Sequence, residues 1–396
     1  LKPLPLIGTA LDCVGLPQNC DRSVLRLRSL EREPDKDACD FAVVRNVSEY
    51  QQAKERGWSS IFFVCGHLEE TSKVIDAESS RTVVVPAAQY DYLSDGDVLG
   101  LRHSSRRFRV LFRQNSKHNS FLVTERCNNY CLMCSQPPKN VDDGWILDEI
   151  RDSLPLIDPS TPFLTFTGGE PLTEWQRFLE VLQQCKAQLP STAIQVLTNG
   201  RAFASSEIVD GWRAVAHSNL TAAIPVYSAV DHIHDYVVQA KGAFDETILG
   251  ILKLADRGQR IEIRVVLHAL TAPHIAQTCA WIARNLPFVN HVALMGLENT
   301  GFAIANEAAL WIDPLDYQDA LVEAVESLDS ARVNVSIYNL PRCILSRSLW
   351  QYAVKSISDW KNGYVDECSR CAEIDECGGF FTSGRPRLSR GIRAIS

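Results

Sequence analysis

Apolar and polar positions along the chain change rhythm once, near residue 120. Before it, apolar residues come in short strand-like runs: Phe41-Ala-Val-Val44, Ser60-Ile-Phe-Phe-Val64, Thr82-Val-Val-Val85 and Arg107-Phe-Arg-Val-Leu-Phe112. Turn signals such as Ser94-Asp-Gly-Asp97 separate them. Residues 1–119 are therefore expected to form a separate β-rich domain. Beyond it, strand-like runs at 120–125, 163–167, 193–198, 220–228, 261–268 and 291–296 alternate with helical patterns. Leu147, Ile150 and Leu154 fall at i, i+3 and i+7, and the stretches Trp175 to Leu189 and Phe244 to Leu254 space their apolar residues similarly. Six βα repeats predict an α/β fold over 120–305, its parallel sheet open or curled into a partial barrel. A helix from Asp316 to Leu328, a strand-like run Arg332-Val-Asn-Val-Ser-Ile337 and a cysteine-rich tail fill the third segment, 306–396.

Composition adds bounds. The 396 residues suffice for a barrel domain of about 200–250 residues plus smaller modules. An apolar share of 45% supports a real core. A net charge of −8 gives no reason to expect nucleic acid as a partner. The exception is the basic stretch Arg385-Pro-Arg-Leu-Ser-Arg-Gly-Ile-Arg393, expected to be a solvated tail; the sharper alternative is a dock for an acidic segment. No run approaches 18 uncharged apolar residues, so no transmembrane helix is expected. The start, Leu1 to Leu11, is a poor signal peptide and lacks an initiator Met. Thirteen cysteines without a secretion signal point to a reducing, cytoplasmic compartment where thiols serve metals. Cys13, Cys20, Cys39 and Cys65 are widely and irregularly spaced and are expected to be buried thiols, as are Cys185 and Cys279 within amphipathic helices.

The chemistry concentrates at the ends of consecutive strand candidates. Cys127-Asn-Asn-Tyr-Cys131-Leu-Met-Cys134 directly follows Phe121-Leu-Val-Thr124. Three thiolates this close on a turn can hold one small inorganic cluster, and around four irons they leave one iron without a protein ligand. Thr167-Gly-Gly-Glu-Pro171 ends the next strand; its glycines let backbone come close to a ligand and Glu170 offers an anionic acceptor to a cationic group. Leu197-Thr-Asn-Gly200 closes the third strand on a glycine turn. In barrels of this kind, catalytic groups sit at these strand ends. The tail holds a second constellation, Cys343, Cys368, Cys371 and Cys377. Four thiolates fit a closed iron–sulfur site or a structural zinc, with a metal-free cluster of thiols as the bland alternative. Asp231-His-Ile-His-Asp235 looks metal-like but is expected to be a solvated helix N-terminal turn, the alternative being a substrate-facing base.

The C-x3-C-x2-C run followed by Gly-Gly-Glu-Pro resembles the radical S-adenosylmethionine (SAM) superfamily over about 120–300. That resemblance implies a partial (β/α)6 TIM-like barrel with a [4Fe–4S] cluster on Cys127, Cys131 and Cys134. SAM would bind the open iron and be cleaved to methionine and a 5′-deoxyadenosyl radical that abstracts a substrate hydrogen. It further implies that Gly168, Gly169 and Glu170 hold the methionyl ammonium. Asn199 of the glycine turn joins the cofactor contacts, Ser228 contacts ribose or carboxylate, Arg264 pairs with the methionyl carboxylate, and Leu297 of Met295-Gly-Leu297 contacts adenine. One departure is Met133, where members often carry an aromatic residue. Tyr130 and Gln136 are candidates to shield the cluster or meet the substrate. The tail resembles the shortened auxiliary-cluster modules of peptide-modifying members. Cys377-Gly-Gly-Phe380 has no following cysteine, so one auxiliary [4Fe–4S] cluster is expected on Cys343, Cys368, Cys371 and Cys377.

A closer resemblance, carried by Thr124 to Pro138 and by Ile357-Ser-Asp-Trp-Lys361 with the cysteines after it, is to the HxsC-type maturases of the His-Xaa-Ser system. It implies a ribosomally made precursor peptide as substrate and a partner maturase encoded alongside. An electron donor such as flavodoxin or ferredoxin would feed the cluster. Neither nucleic acid nor membrane is an expected partner. Two other readings stay open: a radical SAM enzyme for a small molecule, and a non-catalytic iron–sulfur subunit of another maturase.

Overall fold

The computed structural model describes residues 4–34, 39–64, 81–355, 362–381 and 387–396. Cys65, the Ile357–Lys361 run and Arg385 lie outside the described residues. The N-terminal segment comprises β1 (Ile7–Thr9), β2 (Asp12–Val14), β3 (Arg22–Arg28), β4 (Asp40–Val44), α1 (Val47–Glu55), β5 (Ser60–Phe63), β6 (Thr82–Val85), β7 (Val98–Arg102) and β8 (Arg107–Phe112). They form one eight-stranded sheet in the order β1-β8-β7-β3-β4-β5-β6-β2. Its centre, β3 to β6, is parallel and its flanks are antiparallel. The short apolar runs are strands, as expected. Their unbroken hydrophobicity has a structural cause, because both sheet faces are buried. Ala42, Val44, Ile61, Phe63, Val83 and Val85 pack beneath Tyr50 and Ala53 of α1, while Phe41, Val43, Phe62 and Val84 face a second apolar layer with Leu25, Leu99 and Phe108.

The second sheet carries β9 (Asn119–Leu122), α2 (Trp145–Ser153), β10 (Phe163–Thr167), α3 (Trp175–Gln188), β11 (Ala193–Leu197), α4 (Ser206–Val215), β12 (Leu220–Pro225), α5 (Asp231–Val238), α6 (Ala243–Asp256), β13 (Arg260–Leu267), α7 (Ile275–Asn285), β14 (His291–Gly296), α8 (Gln318–Ser330) and β15 (Val335–Tyr338). All seven strands are parallel and neighbours in chain order, the arrangement of a partial barrel. The sheet is one strand wider than six βα repeats. The extra strand, β15, pairs with β14 through Val292↔Val335 and Leu294↔Ile337 and comes from the run Arg332–Ile337 in the segment counted as tail. Alternation decides which side chains face inward. Phe166, Val196, Ile224, Ile263, Leu294 and Ile337 join the core under the helices. The opposite parity, including Thr165, Thr167, Leu197, Arg264 and Met295, lines an inner cavity.

The two sheets meet across α2. Val24, Val98 and Phe112 belong to the same apolar cluster as Ile146, Leu147 and Ile150. Buried Glu149 pairs with Arg109, and the Arg22 guanidinium lies 3.4 Å from the centre of the Trp145 ring. This seats β1 and β8 beside the inner cavity, whose wall includes Leu6, Ile7 and Val110.

Candidate functional site

The loop bearing Cys127, Cys131 and Cys134 leaves the end of β9 and is pinned from several directions. Backbone hydrogen bonds join it to the loop after β10: Val123 N–H to Thr167 O at 2.7 Å, Gly169 N–H to Thr124 O at 2.7 Å, Glu170 N–H to Arg126 O at 2.8 Å. Side chains at the two glycines would break this ladder. A Cβ on Gly168, which has φ +149°, would lie 2.5 Å from Thr124 O, and one on Gly169 would overlap the Arg126 carbonyl. The close approach these glycines permit is thus to the backbone of the cysteine loop, where the sequence suggested a ligand.

Glu170 also has a task within the protein. Its carboxylate is buried and accepts from Leu172 N–H (3.0 Å), Thr198 Oγ1 (2.7 Å) and Asn199 N–H (2.6 Å). A carboxylate has about four acceptor positions, so about one is left for any ligand. Burial pushes its pKa up, and the three donors pull it back down. Asn199 ties the same loops, donating from Nδ2 to Asn128 Oδ1 at 2.6 Å. Two residues that sequence reasoning missed complete the frame. Buried Asp143 accepts from Thr124 Oγ1 (2.9 Å), Glu125 N–H (2.6 Å) and Arg126 Nε (3.1 Å). Arg201 donates to Asn128 O (2.9 Å) and Asn129 Oδ1 (2.6 Å). Arg201 directly follows the Leu197–Gly200 turn and was open to notice there; Asp143 lies in a polar loop with no signal of its own. On the far side, Leu132 N–H donates to Val237 O at the end of α5, and Phe302 N–H donates to Cys134 O. Met133 packs with Tyr227, Val237 and Leu310, so a large apolar side chain is what that position requires.

Electrostatics bear on what three such cysteines can hold. Burial pushes the Cys127 thiol up to about 11 and Cys131 to about 12, with neighbouring negative groups adding to both, and burial raises Cys134 as well. Three thiolates persist here only against compensating positive charge, as an iron cluster provides. Among the described residues no three His, Cys, Asp or Glu side chains converge on a single-ion site. A four-iron cluster is wider and needs no such convergence.

Beside the cysteine loop lies the inner cavity, 860 Å³ in volume, lined by Met133, Ser135 and Gln136 of that loop. Arg264 and Leu297, both expected cofactor contacts, line it. Arg264 is held by its surroundings: Nη2 lies 3.1 Å from Met295 Sδ and Nε 3.7 Å from Glu262 Oε1, while Nη1 is buried without a partner. Glu262 in turn accepts from Gln195 Nε2 at 3.0 Å and meets His291 Nδ1 at 3.0 Å; His291 Nε2 meets Ser336 Oγ at 2.9 Å. This polar floor spans β11 to β15. Period-two alternation in Ile261-Glu-Ile-Arg264 puts Glu262 on the face of Arg264, the signal that could have found it. Ser228 is buried, and its Oγ accepts from Val230 N–H at 3.0 Å, closing a turn.

Residues 121–282 match the family model of the Radical SAM superfamily. The chain carries a radical SAM superfamily domain. Such a domain implies a [4Fe–4S] cluster and SAM. Among solved structures, one similar chain is Streptococcus suis SuiB bound to S-adenosylmethionine, 13% identical over 55% of this chain and 49% of that one, TM-score 0.44. Another is native anSMEcpe with bound AdoMet, at 15% identity, 55% and 62% coverage, TM-score 0.42. A third is the FeFe-hydrogenase maturase HydG from Carboxydothermus hydrogenoformans, at 10% identity, 59% and 56% coverage, TM-score 0.44. The chain thus spans roughly half to three fifths of these proteins' lengths. Comparison with curated proteins finds no match.

The Asp231–Asp235 stretch, in the helix whose end bonds the cysteine loop, divides in two. Asp231 and His232 are exposed, as a solvated turn would be. His234 is buried, correcting that expectation, because its ring fills the space between Tyr227 and Phe244. Nδ1 accepts from Tyr227 N–H, and burial pulls its pKa down to about 4, so the ring is neutral near pH 7.

Beyond the radical SAM domain, Cys343, Cys368, Cys371 and Cys377 share one small cavity with Tyr364 and Ile395. Backbone N–H groups point at the sulfurs: Arg342 and Gly379 to Cys377 Sγ (3.5 Å each) and Ile395 to Cys371 Sγ (3.4 Å). Such donors suit thiolates, and burial raises the Cys343 and Cys368 thiols, so this set too fits a cationic cluster. The described part of the basic stretch is solvated, as expected, at Arg387, Arg390 and Arg393, but it is tethered. Arg387 pairs with Glu307 at 2.9 Å, Ser389 Oγ donates to Asp313 at 2.6 Å, and Arg390 pairs with Asp313 and Asp316. The acidic dock lies within the chain itself.

Two outcomes follow. Gly169→Ala forces the cysteine loop off its ladder and lowers iron bound at Cys127, Cys131 and Cys134 at least about fivefold; iron analysis showing full loading would contradict it. Asp313→Ala removes the acceptor of Ser389 and one of the two partners of Arg390 and speeds trypsin cleavage after Arg390 about tenfold; an unchanged digestion rate would show that the segment is held by something else.

Proposed function

We propose that this chain is a radical SAM maturase acting on a ribosomally made precursor peptide of the His-Xaa-Ser type. In this reading Cys127, Cys131 and Cys134 hold the [4Fe–4S] cluster, with SAM against Gly168, Gly169, Ser228, Arg264 and Leu297. When bound, the cluster and SAM supply a 5′-deoxyadenosyl radical that abstracts hydrogen from the peptide. The chain's own residues orient and exclude. Arg264, in the cavity wall, offers a cation to a carboxylate. Glu170, Asn199, Asp143 and Arg201 keep the cysteine loop rigid. The tail cysteines hold one auxiliary [4Fe–4S] cluster, whose complete thiolate set suits electron relay or substrate positioning. A partner maturase encoded alongside and a flavodoxin or ferredoxin complete the system.

The observation that carries the peptide reading is the N-terminal sheet's place in the wall of the catalytic cavity. β1 ends that sheet. Val110 N–H donates to Leu6 O and Ala10 N–H to Arg106 O, so alternation turns the backbone of Ile7 and Thr9 away from β8; on that side the Tyr90 hydroxyl donates to Ile7 O at 2.7 Å and the Tyr92 hydroxyl to Pro5 O at 2.6 Å. An extended peptide adding there would pair with the backbone at Thr9 and with Ile7 N–H, beside the cavity wall at Ile7. A small substrate would need no such edge.

Thr9→Pro removes one edge N–H. It should cut modification of a co-expressed precursor peptide about tenfold, read by mass spectrometry, while 5′-deoxyadenosine formed from SAM and dithionite without peptide stays within about twofold. Equal loss of both, or of neither, would sink the edge-binding role. Reconstituted protein should carry about eight irons, twice four, and a triple Cys127/Cys131/Cys134→Ala variant about four with no 5′-deoxyadenosine. A triple variant without iron would refute the auxiliary cluster.

A further inference from the structure

The face of the N-terminal sheet that meets α2 carries a row of like charges. Pairing sets Arg22 of β3 opposite Arg102 of β7, and Arg102 opposite Arg107 of β8. Paired residues project from the same side of a sheet whose strands lie about 4.8 Å apart, and like charges directly opposite one another are destabilising. Arg109 stands two positions along β8 on the same side. Four guanidiniums thus share one end of one face, in a chain whose net charge is −8. Two of them are compensated, Arg109 by Glu149 and Arg102 by Asp21 at 2.9 Å. Arg22 and Arg107 have no ion pair among the described residues. Arg22 lies on the Trp145 ring, where burial lowers its pKa and Arg102 and Arg109 add to the fall against the pull of Glu149. Arg102 and Arg107 are exposed, so the row ends as a cationic surface open to solvent.

The position of the row says what it binds. The same register carries it onto β1, where Thr9 lies opposite Arg107 and Ile7 opposite Arg109. Ile7 and Arg109 line the inner cavity, and Thr9 is exposed and small. The cationic row therefore ends at the sheet edge, one cross-strand pair from the cavity wall. A strand added to β1 would place a side chain beside Thr9 on the arginine face, two strand spacings or about 9.5 Å from the Arg107 backbone. A guanidinium and a carboxylate side chain close that gap between them. A nucleic acid would match the charge but not the edge, because a phosphate backbone makes no strand pairing.

We propose that Arg102 and Arg107, with Arg22 adding to their field, form a recognition site for an acidic segment of the peptide, an extended stretch with carboxylates at alternate positions that adds beside Thr9. This rests on the peptide reading above and adds to it the charge of the segment that is recognised. It also accounts for the like-charged row, which a carboxylate-bearing strand neutralises on binding.

The probe is a labelled peptide of alternating Glu and Ser, with a Gln and Ser peptide as control, titrated by fluorescence anisotropy into the full reconstituted chain. Wild type should bind the Glu peptide at least about tenfold more tightly than the Gln peptide, and lose that margin as salt rises to about 0.5 M. Arg102→Gln/Arg107→Gln should weaken binding of the Glu peptide about tenfold, with thermal unfolding and iron content as in wild type, whereas Arg102→Lys/Arg107→Lys stays within about threefold. Equal binding by wild type and the glutamine variant, or no preference for the Glu peptide, overturns the site and leaves the maturase reading standing. Tighter binding of a single-stranded oligonucleotide of equal charge reassigns the row to phosphates and overturns the proposal. A wild type that binds the Glu peptide but modifies no co-expressed precursor overturns the maturase reading, and with it the assignment of the acidic segment to a substrate.

Discussion

The structure depends on one close approach. The loop after β10 lies so near the cysteine loop after β9 that their backbones exchange hydrogen bonds and leave no room for a Cβ at Gly168 or Gly169. Most other features of the site support that contact. Glu170 continues the chain of ties to the third strand end through Thr198 and Asn199, and Asn199 and Arg201 return to Asn128. Three successive strand ends are thereby locked into one rigid platform. A cluster held by only three thiolates needs such rigidity, because its fourth iron must meet a ligand that the protein does not bond covalently.

The same logic extends around the sheet. Arg264 would be a mobile cation in an open cavity but for Glu262, which is itself held by Gln195 and His291. The polar floor thus ties four strands to the orientation of one guanidinium. The remaining walls come from outside the six-strand core: β1 and β8 on one side, and Asn339, just past β15, on the other. The docked segment from Arg387 to Ile395 closes the tail site and anchors it to Glu307, Asp313 and Asp316 near the barrel mouth. Architecture of this kind suits a substrate that extends beyond the cavity at both ends.

Much of this was legible in the sequence where a local rule applied. The parallel repeats followed from alternating periods, and the cysteine run and Gly-Gly-Glu-Pro from spacing at strand ends. What escaped depends on residues distant in sequence. At the glycines sequence shows that backbone can come close, not that it comes close to the cysteine loop. Arg332–Ile337 reads as a strand, but only its pairing with β14 places it in the barrel. The tether of the segment after Arg385 escaped because its acidic partners lie about seventy-five positions upstream, out of reach of any local pattern.

The central claim is that a radical made beside Cys127, Cys131 and Cys134 takes hydrogen from a peptide held in the cavity beside their loop. Its most direct test is isotope transfer. The candidate precursor peptide would be prepared fully deuterated and incubated with reconstituted protein, SAM and reductant, and the 5′-deoxyadenosine then analysed by mass spectrometry. The account predicts 5′-deoxyadenosine carrying deuterium from the peptide. 5′-Deoxyadenosine formed at the same rate with no deuterium, while the peptide stays unmodified, would contradict it.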